Sequence, residues 1–273
     1  MPEMPEVETL ARKLRKAVTG KRVSEVRLSG LPLRKPIAPG FGAILTTRTI
    51  RRILRRGKYL IIEMEPKAYW VIHLGMSGRL LYRQAAGEAG IHTHAVIRFS
   101  DATELQYRDH RRFGLMAAYE VPRLSQVPEI GALGKDPLSP GFDGKWLLPM
   151  LQKSRQEIKA FLLDQRRIAG LGNIYACESL FLAQIHPCRR CFTLNSAEAG
   201  HLAGAIKKVL KVAVHHKGTT FADFMDSDGN PGENQNYLMI FQREGEGCVR
   251  CGETVRRFRQ GNRSSFYCSN CQG

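Results

Sequence analysis

Four cysteines near the C-terminal end limit this chain more than any other feature. Two residues separate Cys248 from Cys251 and Cys268 from Cys271, and sixteen residues lie between the pairs. Two such thiolate knuckles close a tetrahedral Zn2+ site with no open position, so the metal they imply is structural. A segment of about 25 residues cannot bury enough apolar surface to fold alone, and coordination supplies the missing stability. The expectation is a zinc finger over residues 241–273 that holds one structural Zn2+. Between the knuckles stand Arg256, Arg257, Arg259 and Arg263 against one acid, Glu253. Arginines on a metal-pinned hairpin suit contact with phosphate. Cys188 and Cys191 form a further pair beside His186 but lack partners at ligand spacing, so they are expected to be free thiols. Cys177 falls in a helical stretch and is expected to pack.

The rest of the chain is strongly basic. Its 273 residues hold 42 Lys and Arg against 25 Asp and Glu, a formal net charge of +17. That excess favours a polyanionic partner, nucleic acid first among them. An apolar fraction of 43% suffices for ordinary cores. No run of about 18 apolar residues is present, and the acidic N-terminus lacks the apolar stretch of a secretory signal. Neither a membrane span nor secretion is expected. The cytoplasm is the expected compartment, where cysteines serve as ligands or free thiols rather than in disulfides.

Periodicity divides the chain. Val7, Leu10, Leu14 and Val18 make a helical stripe after Pro5, with Gly20 as its stop. From Arg22 the texture becomes short strands, among them 59–64, 69–74, 94–99 and 104–107. Residues 1–130 therefore read as a β-rich domain with one long helix. The glycines and prolines of 131–149 read as a linker. Beyond it the pattern turns helical. Ser154-Arg155-Gln156-Glu157 reads as a capping box, with further helices from about Asn173 and from about Ser196 to His216.

The chain opens Met1-Pro2-Glu3-Met4-Pro5-Glu6. Once Met1 is removed, Pro2 presents a secondary amine beside a carboxylate. A bare α-amino group titrates at roughly 7.7–8, so part of it is neutral and nucleophilic near pH 7. Attack on an electrophilic carbon then yields an iminium. By itself the opening reads as an ordinary start before a helix.

The motifs taken together resemble the formamidopyrimidine-DNA glycosylase family. The likeness runs from Pro2 through Arg56-Gly57-Lys58-Tyr59-Leu60, His73-Leu74-Gly75-Met76-Ser77-Gly78 and Asp109-His110-Arg111-Arg112-Phe113-Gly114. It continues through Gly172-Asn173-Ile174-Tyr175 to Gly261-Asn262-Arg263-Ser264-Ser265-Phe266-Tyr267-Cys268. The resemblance implies an α+β chain: an N-terminal β-sandwich with flanking helices, a C-terminal helix–two-turn–helix domain over 150–240 with a lesion-covering loop, and the four-cysteine zinc finger. It implies a base-excision repair enzyme, acting as a monomer at the nucleoid, on double-stranded DNA that contains oxidised bases or abasic sites. Such an enzyme excises 8-oxoguanine and formamidopyrimidines, then nicks the strand.

The same resemblance assigns roles. Pro2 is the nucleophile, Glu3 a general acid and Glu6 a second active-site carboxylate. Lys58 and Arg263 complete the catalytic set, Lys58 near the lesion and Arg263 on a flanking phosphate. His94, Arg112, Lys159 and Asn173 are expected on DNA, and Met76, Arg111 and Phe113 in the gap that an everted nucleotide leaves. Thr219, Thr220 and Tyr237 belong to the loop over the damaged base. Two departures stand out: Asn234 lies where an aromatic is usual, and Phe241-Gln242-Arg243 replaces Tyr-Gly-Arg. An endonuclease VIII-like enzyme for oxidised pyrimidines is the nearest alternative. A zinc-ribbon DNA binder without catalysis is the alternative of another class, and it has no use for Pro2, Glu3 or Lys58.

Overall fold

A computed structural model describes residues 1–85 and 87–273. The chain divides into two compact units, 1–132 with 216–235, and 133–215 with 236–273. These units cut the chain differently from the sequence reading. Residues 216–235 join the N-terminal unit because their backbone bonds to residues of the first helix and of a strand there.

In the first unit, α1 (Met4–Val18) is followed by β1 (Val23–Leu28), α2 (Phe41–Leu45), β2 (Thr49–Arg56), β3 (Tyr59–Glu65) and β4 (Ala68–His73). Then come β5 (Arg79–Arg83), β6 (Thr93–Phe99), β7 (Glu104–Arg108), β8 (Leu115–Tyr119) and the short α3 (Pro128–Gly131). The strands form two antiparallel four-stranded sheets, ordered β1-β6-β7-β5 and β2-β3-β4-β8. Alternate residues of both sheets, among them Leu60, Ile62, Trp70, Ile72, Ile97, Leu105 and Tyr107, share one core. Val7, Leu10, Leu14 and Val18 add the apolar face of α1 to it. This is the expected sandwich with flanking helices. Gly20, at φ +84, turns the chain out of α1.

The second unit holds α4 (Gly144–Gln152), α5 (Ile158–Leu163), α6 (Asn173–Leu182) and α7 (Ser196–His215), then a hairpin of β9 (Val255–Gln260) and β10 (Arg263–Cys268). Within the stretch read as a linker, Asp143 caps α4 by accepting from the Trp146 N–H. Gly144 lets α4 approach α7, since an added Cβ would lie 2.6 Å from the Cα of Gly200.

The expected capping box at 154–157 does not form. α5 starts at Ile158, because Glu157 bridges to Arg190 through its backbone and accepts from Gln260 Nε2 through its carboxylate. α6 packs Cys177 and Phe181 against Ile240, Phe241, Val255 and Phe266, so Cys177 does pack. No helix among the described residues is long and apolar enough to cross a membrane.

Candidate active site

The start of α1 is held by a reciprocal pair of hydrogen bonds. Glu3 is the N-cap and its carboxylate accepts from the Glu6 N–H; Glu6 Oε2 accepts from the Glu3 N–H at 2.6 Å. Each carboxylate satisfies an amide that the helix cannot. Pro5 fits this first turn because it has no N–H to satisfy. Pro2, Glu3 and Glu6 are all buried, whereas Met1 is 46% exposed. The other Glu6 oxygen, Oε1, accepts from the Thr219 N–H at 2.7 Å. One carboxylate therefore joins the Pro2–Glu3 backbone to the 216–235 segment. The approach requires glycine at 218, where φ is +82 and an added Cβ would lie 2.8 Å from that oxygen.

Lys58 occupies the turn between β2 and β3 and is 6% exposed. Along α1, Glu8 bonds Arg55 at 3.0 Å and Arg15 bonds the Ile53 carbonyl at 2.9 Å. Stepping forward along the helix thus steps backward along β2, so the N-terminal end of α1 points toward the Lys58 turn. Across the sheet, Tyr59 pairs with His73. Burial pushes His73 down to about 4, and the charges of Lys58 and Arg34 add to the shift. His73 is neutral at pH 7, and its Nδ1 accepts from the Gly75 N–H at 3.0 Å.

That bond starts a turn which leans on a second loop. At Gly75, with φ +65, an added Cβ would lie 2.6 Å from the Gly114 nitrogen. Ser77 Oγ donates to Asp109 Oδ1 and accepts from the Arg111 N–H at 3.2 Å, while the Gly114 N–H bonds Asp109 Oδ2 at 2.8 Å. The two braced loops hold out Met76 and Phe113, 37% and 47% exposed, with the Arg111 guanidinium 4.8 Å over the Phe113 ring. Arg112 is exposed beside them. His94, expected on DNA, is buried. Its Nε2 bonds the Asp109 carbonyl at 3.0 Å and its Nδ1 bonds Ser29 Oγ at 3.1 Å, so it braces the same loop from within.

The 216–235 segment is closed at its base by hydrogen bonds. Asn234 Nδ2 donates to Thr219 Oγ1 at 2.9 Å, and its backbone N–H donates to the Gly218 carbonyl at 3.0 Å. The Thr220 N–H donates to Gln235 Oε1 at 3.0 Å, and Thr220 Oγ1 accepts from the Gly232 N–H at 2.9 Å. Asn234 thus replaces aromatic packing with a buried polar stitch. Tyr237, just beyond, is 54% exposed.

In the second unit, Lys159, expected on DNA, is held from within. It is 1% exposed, and its Nζ donates to the Ser264 carbonyl at 2.8 Å and to Ser265 Oγ at 2.7 Å. Asn173, the first residue of α6, donates to that same Ser264 carbonyl at 3.0 Å. Both side chains fix the residue that follows the exposed Arg263. Sequence reasoning missed Asp109 and Glu178. Glu178 is buried and accepts from the N–H groups of Met239, Ile240 and Phe241. Burial pushes its carboxyl up even against those three bonds. Asp109 stands inside a quoted motif, but nothing local marks Glu178, whose partners lie some sixty residues away.

The sulfurs of Cys248, Cys251, Cys268 and Cys271 all lie within 4.8 Å of one another. Cys251 is 3.5 Å from Cys268 and from Cys271, and Cys248 is 3.9 Å from Cys271. A tetrahedron with Zn–S bonds of about 2.3 Å has edges of about 3.8 Å. The cluster therefore fits one structural zinc. Cys188 and Cys191 lie outside it, and burial pushes the Cys191 thiol up to about 11.

A β-sandwich whose first helix begins beside the buried Pro2, Glu3 and Glu6, joined in sequence to a helical unit and a four-thiolate hairpin, defines a zinc-finger protein of two units. Three family descriptions match in order: the formamidopyrimidine-DNA glycosylase N-terminal domain over 1–116, its H2TH domain over 133–225, and the zinc finger found in FPG and IleRS over 245–273. A formamidopyrimidine-DNA glycosylase of Desulforamulus reducens is 40% identical over 274 residues, covering 100% of this chain and 99% of that protein. The Lactococcus lactis Fpg bound to DNA with an abasic site superposes with a TM-score of 0.90 at 31% identity, covering 99% of each chain. MutM in complex with DNA containing carbocyclic 8-oxo-G gives a TM-score of 0.91 at 31% identity, again with 99% of each chain. The chain belongs to the formamidopyrimidine-DNA glycosylase family.

Proposed function

We propose that this chain is a bifunctional DNA glycosylase and abasic-site lyase of base-excision repair, working on double-stranded DNA in the cytoplasm. Its substrates are 8-oxoguanine and formamidopyrimidine lesions. The observation that carries the reading is the buried Pro2–Glu3 pair at the start of α1, braced by Glu6. Met1 leaves first and frees the Pro2 nitrogen. The positive end of the α1 dipole disfavours a protonated amine there. The target nucleotide is everted, because its sugar cannot be reached within the stack.

The Pro2 nitrogen attacks C1′ and the damaged base departs. Glu3 gives a proton to the sugar ring oxygen, which opens the ring and leaves an iminium between Pro2 and C1′. The cation acidifies C2′. Loss of its proton expels the 3′ phosphate, and a second elimination expels the 5′ phosphate.

The remaining residues position the strand. Lys58 lies toward the amine and bears on the phosphate and base at the lesion. Arg263, with its neighbour fixed by Asn173 and Lys159, grips a flanking phosphate in the manner of a guanidinium fork. Met76, Arg111 and Phe113 fill the vacated stack, and Arg112 adds a backbone contact. Thr219, Thr220 and Tyr237 belong to the cover over the base.

Relatives at about 40% identity carry the purine-lesion name across the whole chain. Excision from duplexes with 8-oxoguanine opposite cytosine is compared with excision of thymine glycol. Preference for 8-oxoguanine is expected, and a clear preference for thymine glycol overturns the substrate assignment.

A further inference from the structure

Glu6 is not the only residue of α1 that reaches the 216–235 segment. Lys13 Nζ lies 2.5 Å from Asp228 Oδ2 and 3.5 Å from Asp226 Oδ2. Seven residues separate Glu6 from Lys13, which places them on one face of the helix and about 10 Å apart along it. The turn that Lys13 meets is well built. Asp226 Oδ1 accepts from the N–H groups of Asp228 and Asn230 at 3.0 and 2.9 Å, and the Asp226 N–H bonds the Asn230 carbonyl at 2.9 Å. The Tyr82 N–H of β5 holds the Ser227 carbonyl at 2.8 Å. The Asp226 side chain is only 4% exposed, so a cation at its outer oxygen offsets a desolvated negative charge and its neighbour Asp228 together.

The segment is thus held at its entry, at Gly218–Thr219, and at its foot, at 226–230. Residues 220–225 arch between the two, with Phe221 48% exposed. We propose that Lys13 is a positioning residue for this arch: with Glu6 it makes α1 a two-point clamp, so the helix that carries the nucleophile also sets how the loop lies over a damaged base. The proposal rests on reading 216–235 as the lesion cover. An abasic site presents no base to cover. The clamp therefore acts on excision of 8-oxoguanine and leaves nicking at abasic sites alone.

The test uses the full-length, zinc-loaded protein and its Lys13→Met and Lys13→Arg variants. Amide exchange over 219–230 is expected to quicken several-fold in Lys13→Met. Excision of 8-oxoguanine at limiting duplex is expected to fall about two- to fivefold, the scale of a partly exposed ion pair. Nicking of an abasic duplex stays level, and Lys13→Arg restores both readouts. Unchanged exchange in Lys13→Met overturns the clamp and leaves the cover reading intact. Quickened exchange with undiminished 8-oxoguanine excision also overturns the proposal, and in that case it is the cover reading that fails. Equal losses on both substrates overturn it as well, since Lys13 would then act on the common chemistry.

Discussion

The two ends of this chain solve one problem by different physics. Chain termini fray unless something ties them down, yet Pro2 and the Arg263 hairpin both need fixed positions. At the N-terminus the tie is burial. Met4, Val7, Leu10, Leu14 and Val18 are at most 1% exposed, and hydrogen bonds from Glu3 and Glu6 finish the job. At the C-terminus the apolar contribution is small. The hairpin shares Val255, Phe266 and two cysteines with Phe241, Ile240 and α6, and the metal supplies the rest. A segment able to enter a large core is fixed by packing and can spare its polar groups for chemistry. A segment unable to do so needs a cross-link.

The largest effect expected from this contrast is loss of zinc. Chelation, or Cys268→Ala, should unfold the hairpin and weaken duplex binding by about 100-fold or more. Amide exchange in β4, around Trp70, should stay slow. Coincident unfolding of β4 would show that the two ends do not stand on separate footings.

Acid should act on the other end. The unfolded His73 titrates near 6.5, as model histidines do, and the folded one at about 4. Between those values the unfolded chain binds a proton that the folded chain refuses. Stability is therefore fully present above about pH 6.5 and is lost as pH falls toward 4, by up to about 3 kcal/mol. Urea midpoints at pH 7.5, 6 and 5 measure the slope, and His73→Gln should flatten it. The same proton removes the acceptor for the Gly75 N–H and loosens the turn that presents Met76.

Glu6→Gln is smaller. An amide side chain cannot accept from both the Glu3 and Thr219 N–H groups, and one unmatched buried amide costs ~1–3 kcal/mol. Faster exchange at Thr219, with a matching loss of stability, is the expected result.

The smallest change is a gain. Gln242 holds φ +60, the backbone of the glycine that the family pattern carries there. Gln242→Gly should stabilise the second unit by about 1 kcal/mol, read from denaturant midpoints.

Sequence reading did best where the signal is local and periodic. The knuckle spacing, the α1 stripe and the starts of α6 and α7 at Asn173 and Ser196 all carry their cause within a few residues. It failed where a distant group decides. Ser154 to Glu157 has the letters of a capping box, but Gln260 claims the Glu157 carboxylate. The capping box that does form uses Glu3, an uncommon cap residue, and went unremarked. The sequence named Lys159 and His94 for DNA but gave no sign of their partners within the fold, Ser264 and Ser265 for the one and Asp109 for the other. Asn234 reads in the sequence only as a departure from the family pattern, because its partner Thr219 lies fifteen residues away.

The proposed chemistry depends on a free imino nitrogen at Pro2, and borohydride reduction of the protein mixed with an abasic duplex tests it most directly. The account predicts a covalent protein–DNA adduct, located by mass at Pro2 in chains that have lost Met1, and its absence from chains that keep Met1, with duplex affinity unchanged. An adduct formed at full yield by chains that keep Met1, or one located at Lys58 in the native sequence, would contradict it.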